Sequence, residues 1–509
     1  MNQIKRWITN RSVVTGIILG LQLLVLTVVI FVFQDQFVYF YTLSKLISVI
    51  VILHIINNDS NPAYKIAWLI PIALLSIFGS LLYIIFGKKP ISKRKQREMK
   101  NKGLYYKMAS DSGADVLEKL KEESEDAALQ AGYLQNALDF PLYQGTETMF
   151  FSLGEEQFAC MMEEMAQAKR FIFLEYFIIT PGTMWDSMLE LLEQKAKEGV
   201  DVRLLYDDFG CTFSLPADYD QQLEKKGIQT CIFNRFKPVL SPRFNNRDHR
   251  KMCIIDGQVG YTGGLNLADE YINVIERFGH WKDCGVRLHG EAVWSLTMMF
   301  LHTWEEVRGC KEDFEVFRPR FLEPVPDDGY VQPFMDTPLD SQAVSKTVYL
   351  NLISRAKRSI YINTPYLNPD NELMTALITS AKCGVDVRIV VPHIPDKKFV
   401  HALTKSYYPV LVEAGVKIYE YTPGFMHAKT IVIDQECGMV GTINLDYRSL
   451  FLHYECAVWM YRCQAIHQLY EDYCAMLPQC EEITVKMCRS RPFYTRLRHS
   501  VLRVFAPMI

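Results

Sequence analysis

A chain of 509 residues with 49% apolar residues and a formal net charge of −3 is too long for one ordinary domain and can bury two or three cores. Its 13 cysteines form no CxxC pair and no His/Cys cluster at zinc-ligand spacing, which argues against a disulfide framework and indicates reduced, cytosol-facing thiols. The first 100 residues hold 12 Lys and Arg against 3 Asp and Glu, whereas residues 101–509 hold 43 against 55. Positive charge therefore concentrates at the N-terminal end.

Three apolar segments in residues 1–100 predict a transmembrane anchor. Val13–Phe33 spans 21 residues with Gln22 as its only strongly polar member, and it lacks a small-residue cleavage site, which favours an uncleaved helix over a signal peptide. The further candidates are Val38–Ile56 and Ile66–Phe86. The second is weakened by a lysine and a histidine, and the third is interrupted by a proline and a glycine.

Basic residues after the third segment predict the orientation. "KKPISKRKQREMK", residues 88–100, carries seven basic residues against one Glu, which places the large C-terminal part in the cytoplasm by the positive-inside rule. Lys5, Arg6 and Arg11 place the N-terminus inside as well, which requires an even number of crossings, whereas hydropathy offers three segments. The predicted location is the cell membrane, multi-pass, and the number of crossings stays open.

Beyond a predicted solvated helical connector at 101–138, the chain repeats itself. "AKRFIFLEYFIITP" at Ala168 matches "AKRSIYINTPYLNP" at Ala356, and "GVDVRLLYDD" at Gly199 matches "GVDVRIVVPH" at Gly384. Each half alternates short apolar runs with helix-length segments, which predicts the α/β fold class with a largely parallel sheet. The stretch 318–340 contains five prolines and is predicted to be a linker.

Both halves carry one motif of polar residues, H-x-K, four residues, D, six residues, G-x-x-N. The two copies are His249, Lys251, Asp256, Gly263 and Asn266, and His427, Lys429, Asp434, Gly441 and Asn444. Because residues i and i+2 share one face of a strand, each histidine points with its lysine. If the halves pack about a pseudo-twofold axis, one site receives two histidines, two lysines and two asparagines.

This set of side chains suits phosphodiester transfer. Lysines and amides can hold a phosphate and the charge that develops on its oxygens, and one histidine can attack phosphorus while a second protonates the leaving alkoxide. We therefore expect a phosphohistidine intermediate and neither a metal nor another cofactor. Aligning "HWKDCGV" with "LHYECAV" pairs Asp283 with Glu455 as candidates that orient the imidazoles, although ordinary strand-end charges explain them equally well.

The two segments "NNRDHRKMCIIDGQVGYTGGLNLADEY" and "GFMHAKTIVIDQECGMVGTINLDYRSL" resemble the paired signatures of the phospholipase D superfamily, and the wider context resembles bacterial cardiolipin synthases. The apolar N-terminal region is similar to that family's membrane region, so the resemblance covers nearly the whole chain. One departure is Gly264 and Thr442, where the superfamily often has serine.

The resemblance implies two homologous phospholipase D-like α/β domains in pseudo-twofold arrangement, at 139–324 and 325–480. It also implies transfer of a phosphatidyl group from one phosphatidylglycerol to another, giving cardiolipin and glycerol. His249 would be the nucleophile and His427 the acid by family analogy, although the sequence does not order them. Both lysines and both asparagines would bind phosphate. Asp256 and Asp434 belong to the family's catalytic motif, and physically we expect them to hold local structure, through a lysine, without touching phosphorus.

Other functions stay open at this point. A membrane-bound phospholipase D would use the same site with water as the acceptor, and a non-catalytic membrane scaffold would retain only the fold. A nuclease is disfavoured because residues 101–509 carry a formal charge of −12, so we expect phosphatidylglycerol and anionic lipid, not nucleic acid, as partners. The basic tail, residues 481–509, is either an amphipathic helix on anionic lipid or a frayed end. Oligomeric state is not predicted.

Overall fold

The structure is a computed structural model that describes residues 37–58, 61–87, 112–235, 245–322, 324–339 and 342–508, with positions 20, 24, 27 and 28. It divides into two compact units. The first comprises residues 1–90, 235–245 and 504–508, and the second comprises 91–234 and 246–503. Apart from residues 235–245, the two predicted homologous halves therefore belong to one unit.

The first unit contains three apolar helices: α1 (Phe37–Ile56), α2 (Pro62–Leu74) and α3 (Ser76–Phe86). Trp68 and Tyr83 pack edge to face, with ring centroids 5.4 Å apart, beside the buried Ile55 and Ile72. Across the described ranges, the structure has no helix that combines the length and the apolar character needed to span a bilayer. The candidate at 13–33 and the basic stretch at 88–100 lie outside the continuously described ranges.

The predicted apolar segment Ile66–Phe86 is two helices, not one. α2 ends before Leu75, whose φ of −126° breaks the helical run and whose N–H donates to the Pro71 carbonyl at 2.8 Å. The two helices approach closely at Gly79, where a Cβ would lie 2.5 Å from the Pro71 carbonyl oxygen. A glycine is therefore needed at this crossing.

The connector is helical, but the prediction that it is solvated is wrong for its second helix. Its helices are α4 (Ser112–Glu123) and α5 (Glu125–Leu138). α5 buries Ala131 and Leu134, and its Gln130 side chain accepts a hydrogen bond from the Trp459 indole at 3.2 Å. Small apolar residues on one face allow α5 to pack closely against the second half.

The first half forms one sheet. Its strands are β1 (Thr146–Phe151), β2 (Phe171–Tyr176), β3 (Asp201–Asp207), β4 (Gln229–Phe233), β5 (Met252–Ile255), β6 (Val259–Gly263), β7 (His280–Lys282) and β8 (Gly285–Gly290). Its helices are α6 (Gly154–Ala166), α7 (Thr183–Lys197), α8 (Asp208–Cys211), α9 (Tyr219–Glu224) and α10 (Val293–Arg308). Seven of these strands form the sheet in the order β1-β8-β6-β5-β2-β3-β4, and β7 lies outside it. The core of this half includes Ile172, Trp185 and Leu192.

The second half forms the corresponding sheet with one extra strand. Its strands are β9 (Tyr330–Asp336), β10 (Ser359–Asn363), β11 (Asp386–Pro392), β12 (Lys417–Tyr421), β13 (Gly424–Met426), β14 (Thr430–Ile433), β15 (Cys437–Gly441), β16 (Glu455–Tyr461) and β17 (Cys480–Glu482). Its helices are α11 (Val344–Arg355), α12 (Asn371–Lys382), α13 (Lys398–Glu413), α14 (Tyr447–Phe451), α15 (Gln464–Met476), α16 (Val485–Arg489) and α17 (Phe493–Val504). The sheet order is β17-β12-β11-β10-β14-β15-β16-β9.

Strand by strand, the two sheets match. β2, β3 and β4 pair in parallel, as β10, β11 and β12 do, and the other pairs of both sheets are antiparallel. The prediction of a largely parallel sheet is therefore wrong outside these three-strand blocks. The reason is local, because each motif strand continues into the next through a three-residue turn that only an antiparallel pair can accommodate.

The predicted linker at 318–340 contains strand β9. Its Pro333 pairs with Val458 at the edge of the sheet, where a missing backbone N–H is tolerated. Proline content alone therefore led to the wrong prediction for this segment.

Candidate active site

Backbone pairing between the halves sets up the site. β7 of the first half pairs in parallel with β13 of the second, and the His427 N–H donates to the Lys282 carbonyl at 2.8 Å. The matching contact is the bridge between Asp248 and Tyr454, where the His249 N–H donates to the Tyr454 carbonyl at 2.9 Å. Each motif histidine therefore lies beside the residue that precedes a carboxylate of the other half.

Each histidine is paired with the carboxylate of the opposite half. Nδ1 of His427 lies 2.6 Å from Oδ2 of Asp283, and Nδ1 of His249 lies 3.0 Å from both carboxylate oxygens of Glu455. The pairs are thus exchanged between the halves. Both carboxylates are fully buried, and the two histidines are 7% and 8% exposed.

Burial keeps both imidazoles neutral. Desolvation lowers the pKa of His249 to about 3, although the negative charge of Glu455 acts to raise it. Desolvation also lowers the pKa of His427 to about 4, and the positive charge of Lys429 lowers it further. Lys251 also lowers the pKa of both imidazoles. Glu455 bonds both to His249 of one motif and to the Thr442 hydroxyl of the other, so the two motifs meet in one cluster of side chains.

The carboxylates stay ionised. Burial alone would raise the pKa of each, but His427 holds the pKa of Asp283 below its usual value and His249 holds that of Glu455 well below. An ionised carboxylate only accepts hydrogen bonds, so each Nδ1 carries the proton and each Nε2 has a lone pair. This is the tautomer that a nitrogen nucleophile requires.

The two motif lysines are buried next to their histidines. Nζ of Lys251 donates to the His249 carbonyl, and Nζ of Lys429 donates to the His427 carbonyl. Burial lowers the pKa of Lys251 to about 7, with Lys429 adding to the shift, and lowers the pKa of Lys429 to about 8. An anion that enters this site would raise the pKa values of both lysines again and so stabilise their protonated, positively charged forms. The two buried lysines therefore favour the binding of an anion.

The asparagines differ in their contacts. Asn266 accepts a hydrogen bond from the Ile178 N–H at 3.0 Å and donates one to the Tyr271 hydroxyl at 2.7 Å. Oδ1 of Asn444 is buried and accepts no hydrogen bond from the described residues. The site is therefore not symmetric at the level of its amides.

The motif aspartates lie at the far ends of the motif strands. Asp256 accepts hydrogen bonds from the N–H groups of residues 169–171 at 2.7 to 2.9 Å, and Asp434 accepts them from residues 357–359 over the same range. Each follows a four-residue strand whose other end carries the histidine and lysine, about 15 Å away. Their hydrogen-bond donors are backbone N–H groups, not the lysine side chain that we expected.

Gly264 and Thr442 occupy equivalent positions behind the two carboxylates. A Cβ at Gly264 would lie 1.9 Å from Oδ1 of Asp283, so no side chain fits there. In the other half the Thr442 hydroxyl donates to Oε2 of Glu455 and accepts from the Cys456 N–H at 3.1 Å. The residue that replaces the usual serine is therefore set by the space beside each carboxylate: glycine beside Asp283, and threonine beside Glu455.

Two neighbours of the carboxylates were missed by the sequence analysis. Nε1 of Trp281 donates to Asp283 at 3.3 Å, and Nδ1 of His453 lies 3.6 Å from Glu455. Both precede their carboxylate by two residues. On an extended strand residues i and i+2 share a face, so this spacing could have predicted that each lies beside its carboxylate. The rings of Trp281 and Tyr271 also pack against His427, and Phe177 packs against His249, so the site has apolar walls.

Two groups among the described residues have ligand atoms close enough to hold a metal ion. They are His249 with His453 and Glu455, and His393 with Glu420 and Glu481. In the first, Glu455 already accepts hydrogen bonds from His249 and Thr442. In the second, the ammonium of Lys405 lies 3.1 Å from Glu420, and a cation there opposes a metal ion.

The chain belongs to the phospholipase D superfamily. A family described as cardiolipin synthase, PLD-like domain matches residues 161–276 and 349–477, and a phospholipase D-nuclease N-terminal family matches residues 46–88. The solved structure of phosphatidylserine synthase from Haemophilus influenzae superposes with a TM-score of 0.55 at 16% identity, covering 74% of this chain and 96% of that one. At this identity the likeness concerns the fold.

Sequence relatives identify the family more closely. A cardiolipin synthase from Halalkalibacterium halodurans is 34% identical over 89% of this chain and 90% of its own length. An uncharacterized protein from Streptococcus mutans is 41% identical over 90% of this chain and 99% of its own length. The chain belongs to the bacterial cardiolipin synthase family, and the family prediction from the two motifs is confirmed.

Proposed function

We propose that this protein is a cardiolipin synthase that transfers a phosphatidyl group from one phosphatidylglycerol to another through a phosphohistidine. The observation that carries the proposal is the pair of neutral, carboxylate-held imidazoles, His249 with Glu455 and His427 with Asp283, in one site with two buried lysines. Family membership supports the choice of reaction.

In the first step one histidine attacks phosphorus through Nε2, a P–N bond forms, and the P–O bond to the donor's glycerol head group breaks. The second histidine gives its proton to the departing glycerol alkoxide. It can carry that proton because the phosphodiester anion raises its pKa from the low value caused by burial. Each orienting carboxylate stabilises the positive charge that its imidazole acquires.

In the second step the glycerol hydroxyl of another phosphatidylglycerol attacks the same phosphorus. The second histidine, now neutral, takes the hydroxyl proton, the P–N bond breaks, and the first histidine is restored. The products are cardiolipin and glycerol. Lys251, Lys429, Asn266 and Asn444 would hold the phosphate oxygens, with the second Nδ2 proton of Asn266 directed to the ligand.

The apolar walls of the site favour a lipid acceptor over water. The two imidazoles are nearly buried and in contact with Phe177, Tyr271 and Trp281. A lipid acceptor displaces water from such a site because its acyl chains contact the apolar walls, whereas a water molecule makes no such favourable contact. A membrane-bound phospholipase D that forms phosphatidic acid is the second candidate.

Product identification tests the reaction. We would add phosphatidylglycerol vesicles and EDTA to the purified chain in detergent and identify the products by mass spectrometry. Cardiolipin with free glycerol supports the proposal. Phosphatidic acid with glycerol would mean hydrolysis, and turnover that requires an added metal would contradict the metal-free mechanism.

We also propose that residues 1–100 anchor the chain in the cell membrane, with several crossings, and that the second unit faces the cytoplasm. The basic stretch 88–100 supports this orientation. Cys383 is exposed in the second unit and can report it. A membrane-impermeant maleimide should label Cys383 in inside-out vesicles and not in right-side-out vesicles, with Cys383→Ser as the control, and the opposite pattern would contradict the orientation.

A further inference from the structure

Helix α17 near the C-terminus turns an apolar face away from the protein. Phe493, Leu497 and Val501 are 71%, 54% and 51% exposed and follow one another at intervals of four residues, so they share one side of the helix. His499 and Leu502, on the opposite side, are buried at 8%. The helix therefore buries one face and exposes its apolar row on the other.

Cationic side chains border this row. Arg496, Arg498 and Arg503 are exposed and lie on both sides of it, and residues 483–509 contain no Asp or Glu. Tyr494, 72% exposed, adds an amphipathic ring of the kind enriched at membrane interfaces. An apolar strip flanked by arginines is complementary to a surface that combines hydrocarbon with negative charge, which is an anionic bilayer.

Contacts link this helix to the site. The guanidinium of Arg503 lies over the Tyr407 ring at 5.0 Å, and the Tyr407 hydroxyl donates to Asn368 at 2.7 Å. The Asn368 N–H then donates to the carbonyl of Leu445 at 2.9 Å, next to Asn444. The helix is thus connected, through Tyr407 and Asn368, to the backbone beside Asn444, whose amide is a proposed phosphate ligand.

We propose that α17 lies in the head-group layer of an anionic bilayer, with Phe493, Leu497 and Val501 inserted and the arginines on lipid phosphates. It would hold the second unit on the surface from which its lipid substrates are taken. The assignment of those substrates rests on the proposed function, whereas the membrane contact itself does not.

Hydrogen–deuterium exchange on the full chain tests the contact. We would compare the peptide covering 493–504 in nanodiscs of phosphatidylcholine with 30% phosphatidylglycerol, in nanodiscs of phosphatidylcholine alone, and in detergent. Exchange should be about tenfold slower or more in the anionic nanodiscs than in those of phosphatidylcholine alone, while the amides of α12 stay unchanged. Equal exchange in both kinds of nanodisc overturns the proposal, because the contact would then not depend on anionic lipid.

A matched pair of variants gives a functional readout. Leu497→Ser/Val501→Ser should slow cardiolipin formation from vesicles by about fivefold or more and leave the rate on monomeric dihexanoyl phosphatidylglycerol unchanged. The control Leu129→Ser replaces a helical leucine that is also 54% exposed and should leave both rates unchanged. Equal loss on both substrates, or no loss on vesicles, overturns the proposal. Absence of cardiolipin even from the parent chain would contradict the proposed function, and the exchange experiment would still test the membrane contact.

Discussion

Asp283 of the first half accepts a hydrogen bond from Nδ1 of His427 in the second half at 2.6 Å. The reciprocal pair joins His249 to Glu455, so each motif histidine takes its carboxylate from the other half. Both halves therefore contribute side chains to one candidate site.

The first prediction concerns these cross-half pairs. Asp283→Asn or Glu455→Gln should lower kcat by about 10³- to 10⁴-fold, because an amide no longer enforces the Nδ1–H tautomer or stabilises the imidazolium. Initial rates of cardiolipin formation measure this. Glu413→Gln, a change at an exposed carboxylate on α13, is the control and should keep full activity. If Asp283→Asn keeps near-parental kcat with an unchanged melting temperature, the orienting role is wrong.

The second prediction concerns the two positions behind the carboxylates. Gly264→Ser should abolish activity, because its Cβ would collide with Asp283. Thr442→Ser should retain most activity because the hydroxyl that donates to Glu455 is kept, whereas Thr442→Val should lose it. Rates for the three variants give the comparison. Equal activity of Thr442→Val and Thr442→Ser would show that the hydroxyl has no role.

The third prediction separates structural from chemical roles within the motif. Asp434→Asn weakens three hydrogen bonds to backbone N–H groups and should lower the free energy of unfolding by about 2 kcal/mol. The residual folded protein should keep its kcat, since the carboxylate lies at the far end of the strand. Thermal unfolding and kcat per folded molecule test this. A large loss of kcat without loss of stability would place Asp434 in the chemistry.

The fourth prediction concerns acid stability. In the folded protein the pKa of His249 is about 3 and that of His427 about 4, against 6.5 for an ordinary histidine. As pH falls from about 6.5 to about 4, the unfolded chain binds more protons than the folded one, so the free energy of unfolding decreases. The lowered pKa values of Asp283 and Glu455 act in the same direction at lower pH.

Melting temperatures recorded in detergent between pH 7.5 and 4.5 should therefore fall with pH. The double variant His249→Gln/His427→Gln should show a shallower fall, because it removes the two groups that protonate only on unfolding. An identical slope for variant and parent would show that these histidines do not control acid stability.

The repeated polar residues at fixed intervals predicted the duplication, phosphodiester transfer and the convergence on one site. The resemblance of the two motifs to known signatures predicted the family. Family and reaction class are confirmed by the relatives. The exchange of carboxylates between halves was not predicted, because it depends on the β7–β13 pairing across the interface. The contact of Thr442 with Glu455 was not predicted for the same reason, because it is a tertiary contact. Trp281 and His453 were missed although their i, i+2 spacing from the carboxylates is visible in the sequence.

Errors in the fold prediction also have physical causes. Pro333 suggested a linker, but it lies on an edge strand where its missing N–H costs little. α5 looked solvated by its charges, although its alanines allow close packing. The largely parallel sheet was inferred from β-α-β alternation, which holds only for β2–β4 and β10–β12.

The measurement closest to the central claim uses a phosphatidyl donor with a p-nitrophenyl leaving group, which departs without a proton. We predict that His249→Ala and His427→Ala each abolish cardiolipin formation from phosphatidylglycerol. With the activated donor, the variant that lacks the acid should still release one equivalent of p-nitrophenol and carry a phosphatidyl group on its remaining histidine, detected by intact mass. The variant that lacks the nucleophile should release none. Turnover of phosphatidylglycerol by either variant, or a burst from both variants with no covalent adduct, would contradict the two-histidine mechanism.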